Sequence, residues 1–194
     1  MRKVTIIAPG GDLREGLSRR AFPDFGLYLF RSARLYLAVR CGPIGMNGRG
    51  AHAHNDQLAF ELAIDGEDWV VDPGSYVYTA SPTWRNAYRS VAAHAAPRLE
   101  GGEPGRLDLG PFWLGDEAKA RCLSFDDSGF AGEHKGFGRV VRRSIALDER
   151  SIEITDEGVP AAERVWLVGR AETAAYFSPS VPFSPGYGKR LRVR

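Results

Sequence analysis

Three of the four histidines in this sequence, His52, His54 and His94, lie close together along the chain in the company of Asp56 and Asp72. Imidazole and carboxylate together suit zinc or a similar borderline divalent ion, with three side chains and a water completing a tetrahedron. Two geometries are open to the His52-Ala-His54 pair. On a strand, the period of two puts both rings on one face, where both can grip one ion. If the segment bends, as Gly48-Arg-Gly50 permits, one ring faces a metal and the other a cleft. An arbitrary histidine pair more often hydrogen-bonds its own loops, so the surrounding sequence has to decide.

Such a set needs elements that return position 94 to position 54. The 23 Gly and 12 Pro cut the chain into short segments that are β-branched or aromatic and rarely hold a 3.6-residue period. This predicts strands at 26–31, 35–40, 58–64, 68–71, 112–123, 139–147, 151–155 and 164–168. Asp65-Gly66 sits between two such runs, as a tight turn with positive φ requires, so 58–71 reads as one hairpin. Ser81 as N-cap and Pro82 at the first helical position predict a short helix over 82–89. The fold class is therefore all-β: an antiparallel β-sandwich of two packed sheets with a helical excursion near 82–89. The loop-like stretches 101–105 and 178–186 are too short to separate domains, so 1–194 reads as one. The run 190–194 resembles a strand cut off in mid-course, as in an excerpt of a longer chain.

A chain of 194 residues can bury roughly 70% of its unfolded surface without disulfides. The 26 Lys and Arg against 24 Asp and Glu leave a formal charge of +2, too balanced for a nucleic-acid partner. No apolar run approaches the roughly 18 residues of a membrane span, so no membrane partner is expected. Cys41 and Cys122 fit no CxxC or zinc-ribbon spacing and read as two ordinary buried thiols that leave the compartment open. The start, Met1-Arg-Lys-Val4-Thr-Ile-Ile-Ala8, has too short an apolar stretch for an export signal and runs into Pro9-Gly-Gly11.

Three motifs occur in order: His52-Ala-His54-Asn-Asp56, then Asp72-Pro-Gly74-Ser-Tyr76-Val-Tyr78-Thr79, then Arg85-Asn-Ala-Tyr88-Arg89-Ser90-Val-Ala-Ala-His94. In this the chain resembles the heparinase II/III-like family of polysaccharide lyases, well over 26–143 and loosely elsewhere. The resemblance implies the family's C-terminal β-sandwich, which follows a helical α/α toroid, and a structural zinc ion on His54, Asp72 and His94. It also implies that His52 faces the substrate cleft with Tyr76 placed to join it. The substrate is then an acidic, uronate-containing polysaccharide, cleaved by β-elimination. Proton abstraction at C5 builds negative charge on the uronate carboxylate, which a donating His52 helps stabilise. Arg85 and Arg89 are candidates to clamp a sugar carboxylate, and Trp84, in a polar loop, to stack on a sugar ring. Family members are commonly exported by bacteria, which implies a periplasmic or secreted protein.

Departures accompany the matches. The family's proton-abstracting tyrosine and its asparagine or histidine partner come from the toroid, and this sequence has no long helical region. The expectation is a domain that turns over little or nothing by itself. Ala95-Ala-Pro97-Arg98 follows His94 where the family continues with Asn and an apolar strand. Tyr76, Tyr78 and Tyr88 are further acid candidates, and His134 is expected in a glycine-flanked turn. The alternatives are a non-catalytic glycan-binding module and, more remotely, a cupin-type metal enzyme using Glu61. In the last case the offset of seven from His54 to Glu61 puts the two on opposite faces of a strand.

Overall fold

Alternation of buried and exposed side chains along short segments builds two stacked sheets in the computed structural model, which describes residues 1–160 and 163–191. Among these residues are eleven strands: β1 (Arg2–Ile7), β2 (Ser18–Phe22), β3 (Leu27–Arg31), β4 (Leu35–Arg40), β5 (Phe60–Ile64), β6 (Glu67–Val70), β7 (Arg121–Asp126), β8 (Gly129–His134), β9 (Val141–Leu147), β10 (Ser151–Glu157) and β11 (Arg164–Val168). Two α-helices join them, α1 (Pro82–Arg89) and α2 (Gly169–Tyr176). One sheet runs β11-β1-β10-β9-β8-β7 and the other β2-β3-β4-β5-β6. Every pairing is antiparallel except β1 with β11. The all-β sandwich expected from the sequence is the observed architecture.

The apolar members of each alternation meet between the sheets. Phe30, Leu37, Val39 and Leu62 from one sheet pack with Ile6, Ile145, Ile152 and Ile154 from the other. The β5–β6 hairpin closes through Asp65 and Gly66, both at positive φ (54° and 77°), with Ile64 opposite Glu67. That is the two-residue turn whose twist matches the flanking strands. α2 packs near β6 and β11, with Phe60 and Phe177 edge to face at 5.0 Å, so it covers the edge of the smaller sheet. At the opposite edge β2 is exposed along its whole length. Arg19 holds it to the other sheet by donating to the Phe125 carbonyl and pairing with Asp127.

One polar pair crosses this apolar layer. Arg143 in β9 and Asp156 in β10 are register partners and both point inward. The guanidinium forks onto the carboxylate at 2.7 and 2.8 Å, and its remaining nitrogen donates to the carbonyls of Leu58 and Ala95. The larger sheet is thereby tied to the two segments that follow His54 and His94.

Several expectations are corrected. Residues 112–120 are not strand. Only Arg121–Asp126 pairs, because the Pro111 and Trp113 carbonyls accept from arginine side chains instead. His134 closes strand β8 rather than sitting in a turn, since Gly129 and Gly132 lie within the ladder. β1, expected only as the charged start of the chain, is an interior strand of the larger sheet, between β11 and β10. Strand β2 and helix α2 were not anticipated. Of the strand expected at 190–194, positions 190 and 191 belong to no strand and 192–194 lie outside the described residues.

Candidate functional site

The segment from 41 to 59 carries the two neighbouring histidines between β4 and β5 and belongs to no strand. Positive φ at Met46, Asn47, Gly48 and Gly50 coils it, so the bent geometry holds rather than the extended one. The two rings consequently part company: His54 is buried and His52 is exposed. The Asn55 amide donates to the Arg89 carbonyl at 2.8 Å, docking the segment on α1. Glu103, which sequence reasoning passed over, fastens the other side by accepting from Asn55 Nδ2 at 2.7 Å, the Val91 amide at 2.9 Å and the Ser90 hydroxyl.

Helix α1 begins as expected, with Ser81 Oγ accepting from the Trp84 amide and Pro82 in the first turn. Its inner face carries Arg85, Tyr88 and Arg89, all essentially inaccessible. Arg89 donates to the carbonyls of Leu107, Gly110 and Trp113, and Arg85 to those of Ala51 and Pro111. Carbonyls of an irregular buried loop have no ladder to pair with and need side-chain donors, which these two guanidinium groups supply. Arg85 at 0% exposure and Arg89 at 1% are therefore directed into the protein, not toward a cleft where a sugar carboxylate would lie.

His54, Asp72 and His94 are brought together. The His54 and His94 rings stand 5.2 Å apart between centroids, and His94 Nδ1 meets Asp72 Oδ2 at 2.5 Å. Asp72 is held in turn by the Gly74 amide at 2.8 Å. Burial pushes Asp72 upward, yet the hydrogen bond and charge of His94 outweigh it and hold the carboxyl below its usual range. Burial likewise opposes charge on His94, but the bond to Asp72 leaves that imidazole raised. His54 goes the other way, down to about 3, through burial first and then the charges of His94 and Arg85. Arg85 Nη1 lies 2.9 Å from His54 Nε2, and since a guanidinium only donates, Nε2 is the acceptor and the ring is neutral with its proton on Nδ1.

This donor set fits zinc in type and burial, and His94 Nε2 is a buried nitrogen with no hydrogen-bond partner. Among the described residues, however, no three such donors already converge as a metal cage. His54 is engaged by Arg85 and His94 by Asp72. Beside Asp72 a pocket of about 70 Å³ opens between Arg40, Asp56 and Glu61, with room for waters rather than a sugar.

On the outer side, His52 Nδ1 lies 3.0 Å from the Tyr78 hydroxyl. Tyr78 is stacked with Phe112 and Tyr187, with centroids 6.1 and 6.0 Å away, and the Arg85 guanidinium caps its ring at 4.8 Å. Tyr76, expected beside His52, stands instead in a second aromatic group with Trp84 and Tyr88. Arg190 covers both Tyr76 and Trp84, at 4.6 and 4.0 Å from their centroids. The tyrosine that meets His52 is thus Tyr78, two residues further along. The sequence signal was present, since Tyr76 and Tyr78 share one motif, but Tyr76 adopts a positive φ of 54° that no residue pattern announces.

The family described as heparinase II/III-like, C-terminal, matches residues 14–182. Among solved structures, a heparinase III gene product with methylated lysines is similar at 20% identity and a TM-score of 0.53, over 68% of this chain and 20% of that one. The heparan sulfate lyase HepC from Pedobacter heparinus is similar at 22% identity and a TM-score of 0.51, over 66% of this chain and 20% of that one. A mutant of HepC reaches 0.55 at 22% identity, over 71% of this chain and 21% of the other. The matched region thus spans about one fifth of the length of these proteins. No curated protein matches the chain.

Proposed function

The chain belongs to the heparinase II/III-like C-terminal family, and from that membership we propose that it is the β-sandwich of a lyase that cleaves uronate-containing acidic polysaccharide by β-elimination. The observation that carries this reading is the split of the His52-Ala-His54 pair, one ring exposed beside a tyrosine hydroxyl and the other locked behind it. Tyr78 engages Nδ1 of His52, which leaves Nε2 as the nitrogen to meet a substrate. There it donates to the uronate carboxylate as the C5 proton departs, stabilising the charge that develops. The exposed faces of Phe112 and Tyr187 offer sugar-stacking surface along the same rim.

Zinc is part of the proposal, with His54, Asp72 and His94 as its holders. Bound there, it would supply a structural tie between the coiled segment, the end of β6 and the turn after α1, fixing where His52 points. The proton-abstracting base belongs on a helical toroid in the full-length protein, by the family pattern. His52 is then the catalytic residue contributed here, and the uronate polysaccharide and the toroid are the partners. Export to the periplasm or beyond follows from a polysaccharide substrate of this kind.

Two measurements test this. Elemental analysis after purification in metal-free buffer should find about one zinc per chain, lost in His54→Ala, Asp72→Ala and His94→Ala but kept in His52→Ala. Incubation with alginate, heparan sulfate or hyaluronan should yield little or no ultraviolet-absorbing unsaturated uronate from these 194 residues by themselves. Robust turnover would overturn the assignment of the base to another domain. A glycan-binding module without chemistry is the second reading, favoured by the exposed aromatic rim. It requires His52→Ala to leave turnover unchanged once the helical half is joined, whereas the lyase reading requires a loss of roughly 10²-fold or more.

A further inference from the structure

Away from this site, the two cysteines meet at one end of the sandwich. Cys41 follows β4 of the smaller sheet and is 1% exposed, while Cys122 lies in β7 of the larger sheet and is partly buried. Cys122 is the cross-strand partner of Gly132 in β8. Opposed residues of an antiparallel pair project to the same face, with Cβ atoms about 5 Å apart. Gly132 has no Cβ, and the Cys41 sulfur fills that space: a Cβ added there would lie 2.9 Å from Cys41 Sγ, 2.7 Å from Phe130 and 3.0 Å from Leu58. The sulfur of one sheet therefore occupies the side-chain position directly across the ladder from the cysteine of the other. Burial pushes the Cys41 thiol up to about 12, and proximity to Cys122 adds to the shift.

We propose that Cys41 and Cys122 form a reversible disulfide that stitches the two sheets together whenever an exchangeable small-molecule disulfide is present. In the first step the Cys122 thiolate, the more accessible of the two, attacks one sulfur of the oxidant and expels the other half as a thiolate. Cys41, once deprotonated, then attacks Cys122 Sγ and expels the second half. The protein loses two protons and two electrons, and the oxidant becomes two thiols. The bridge closes a loop from 41 to 122 that takes in His52, His54, Asp72, Tyr78 and His94, and it suits an oxidising compartment. Nothing in this inference depends on the lyase reading.

The test equilibrates the full chain with oxidised and reduced glutathione at graded ratios, quenches with acid, alkylates under denaturing conditions and maps the peptides by mass. Expected are the joint loss of both thiols in a monomer, two hydrogens lighter, and a rise in Tm on the order of 5–10 °C that reductant reverses. Cys122→Ser should keep the Tm of the reduced chain and show no response to the oxidant. Retention of both thiols at the most oxidising ratio would overturn the proposal. So would a lasting glutathione adduct on Cys122 beside an alkylatable Cys41, a disulfide-linked dimer, or an oxidant response in Cys122→Ser.

Discussion

His134 is 1% exposed, its Nδ1 accepts from the Gly136 amide, and among the described residues no carboxylate hydrogen-bonds to its ring. Burial first, and the charge of Arg143 second, bring it down to about 4. Below about pH 6.5 the unfolded chain takes up a proton that the native state refuses until about pH 4. Stability from this group is therefore complete above about pH 6.5 and is lost as pH falls toward 4, by about 3 kcal/mol. His134→Leu should remove that component, read as the difference between urea midpoints of the two proteins across the window; parallel curves would refute it. A second residue-scale consequence concerns Arg85. A neutral imidazole has one lone pair, so His54 can accept from Arg85 or bind an ion but not both. Arg85→Met should tighten zinc about tenfold in calorimetric titration, and unchanged affinity would show that Arg85 does not compete. Residue type made the cluster of His52, His54, His94, Asp56 and Asp72 legible in the sequence, and the resemblance to the heparinase II/III-like family singled out His54, Asp72 and His94 within it. The sequence could not reveal that the Arg85 and Arg89 guanidinium groups turn inward, because that follows from how many loop carbonyls lack partners.

Among the elements, those with local chemistry of their own were readable. The β5–β6 hairpin follows from Asp65-Gly66, and the start of α1 from Ser81-Pro82. Gly66 at φ 77° has open space around it, so Gly66→Ala meets no steric obstacle and its effect is conformational alone. The expected destabilisation is about 1 kcal/mol by urea denaturation, with a larger loss for a β-branched residue. The elements that escaped notice lack such markers. β2 is exposed throughout and shows no buried alternation, because its ladder with β3 and the Arg19 contacts, rather than a buried face, hold it. β8, Gly-Phe-Ala-Gly-Glu-His, reads as a turn by its glycines, yet those glycines exist to admit neighbours: Ile145 O crowds Gly129 and Cys41 crowds Gly132. Helix α2 starts with a glycine and has no side-chain cap, so its start carries none of the markers that announce α1.

For the molecule as a whole, Arg143 and Asp156 join the layers. Removing the guanidinium would leave Asp156, 1% exposed, with only Arg2 at 2.5 Å, and would strand the Leu58 and Ala95 carbonyls. Arg143→Met should destabilise by about 3–5 kcal/mol and loosen the segments behind His54 and His94 together, seen as faster amide exchange at both. The double variant Arg143→Met/Asp156→Leu should recover part of that loss, since it also removes the buried carboxylate that Arg2 satisfies at one oxygen only. Strand β1 carries a different kind of long-range debt, because it is wedged between β10 and β11, partners some 150 positions downstream. A ribosome must therefore run some 150 residues past β1 before that strand finds its berth. Until then that apolar segment travels unsheltered, a window in which chaperones or a crowd of sibling chains can reach it first.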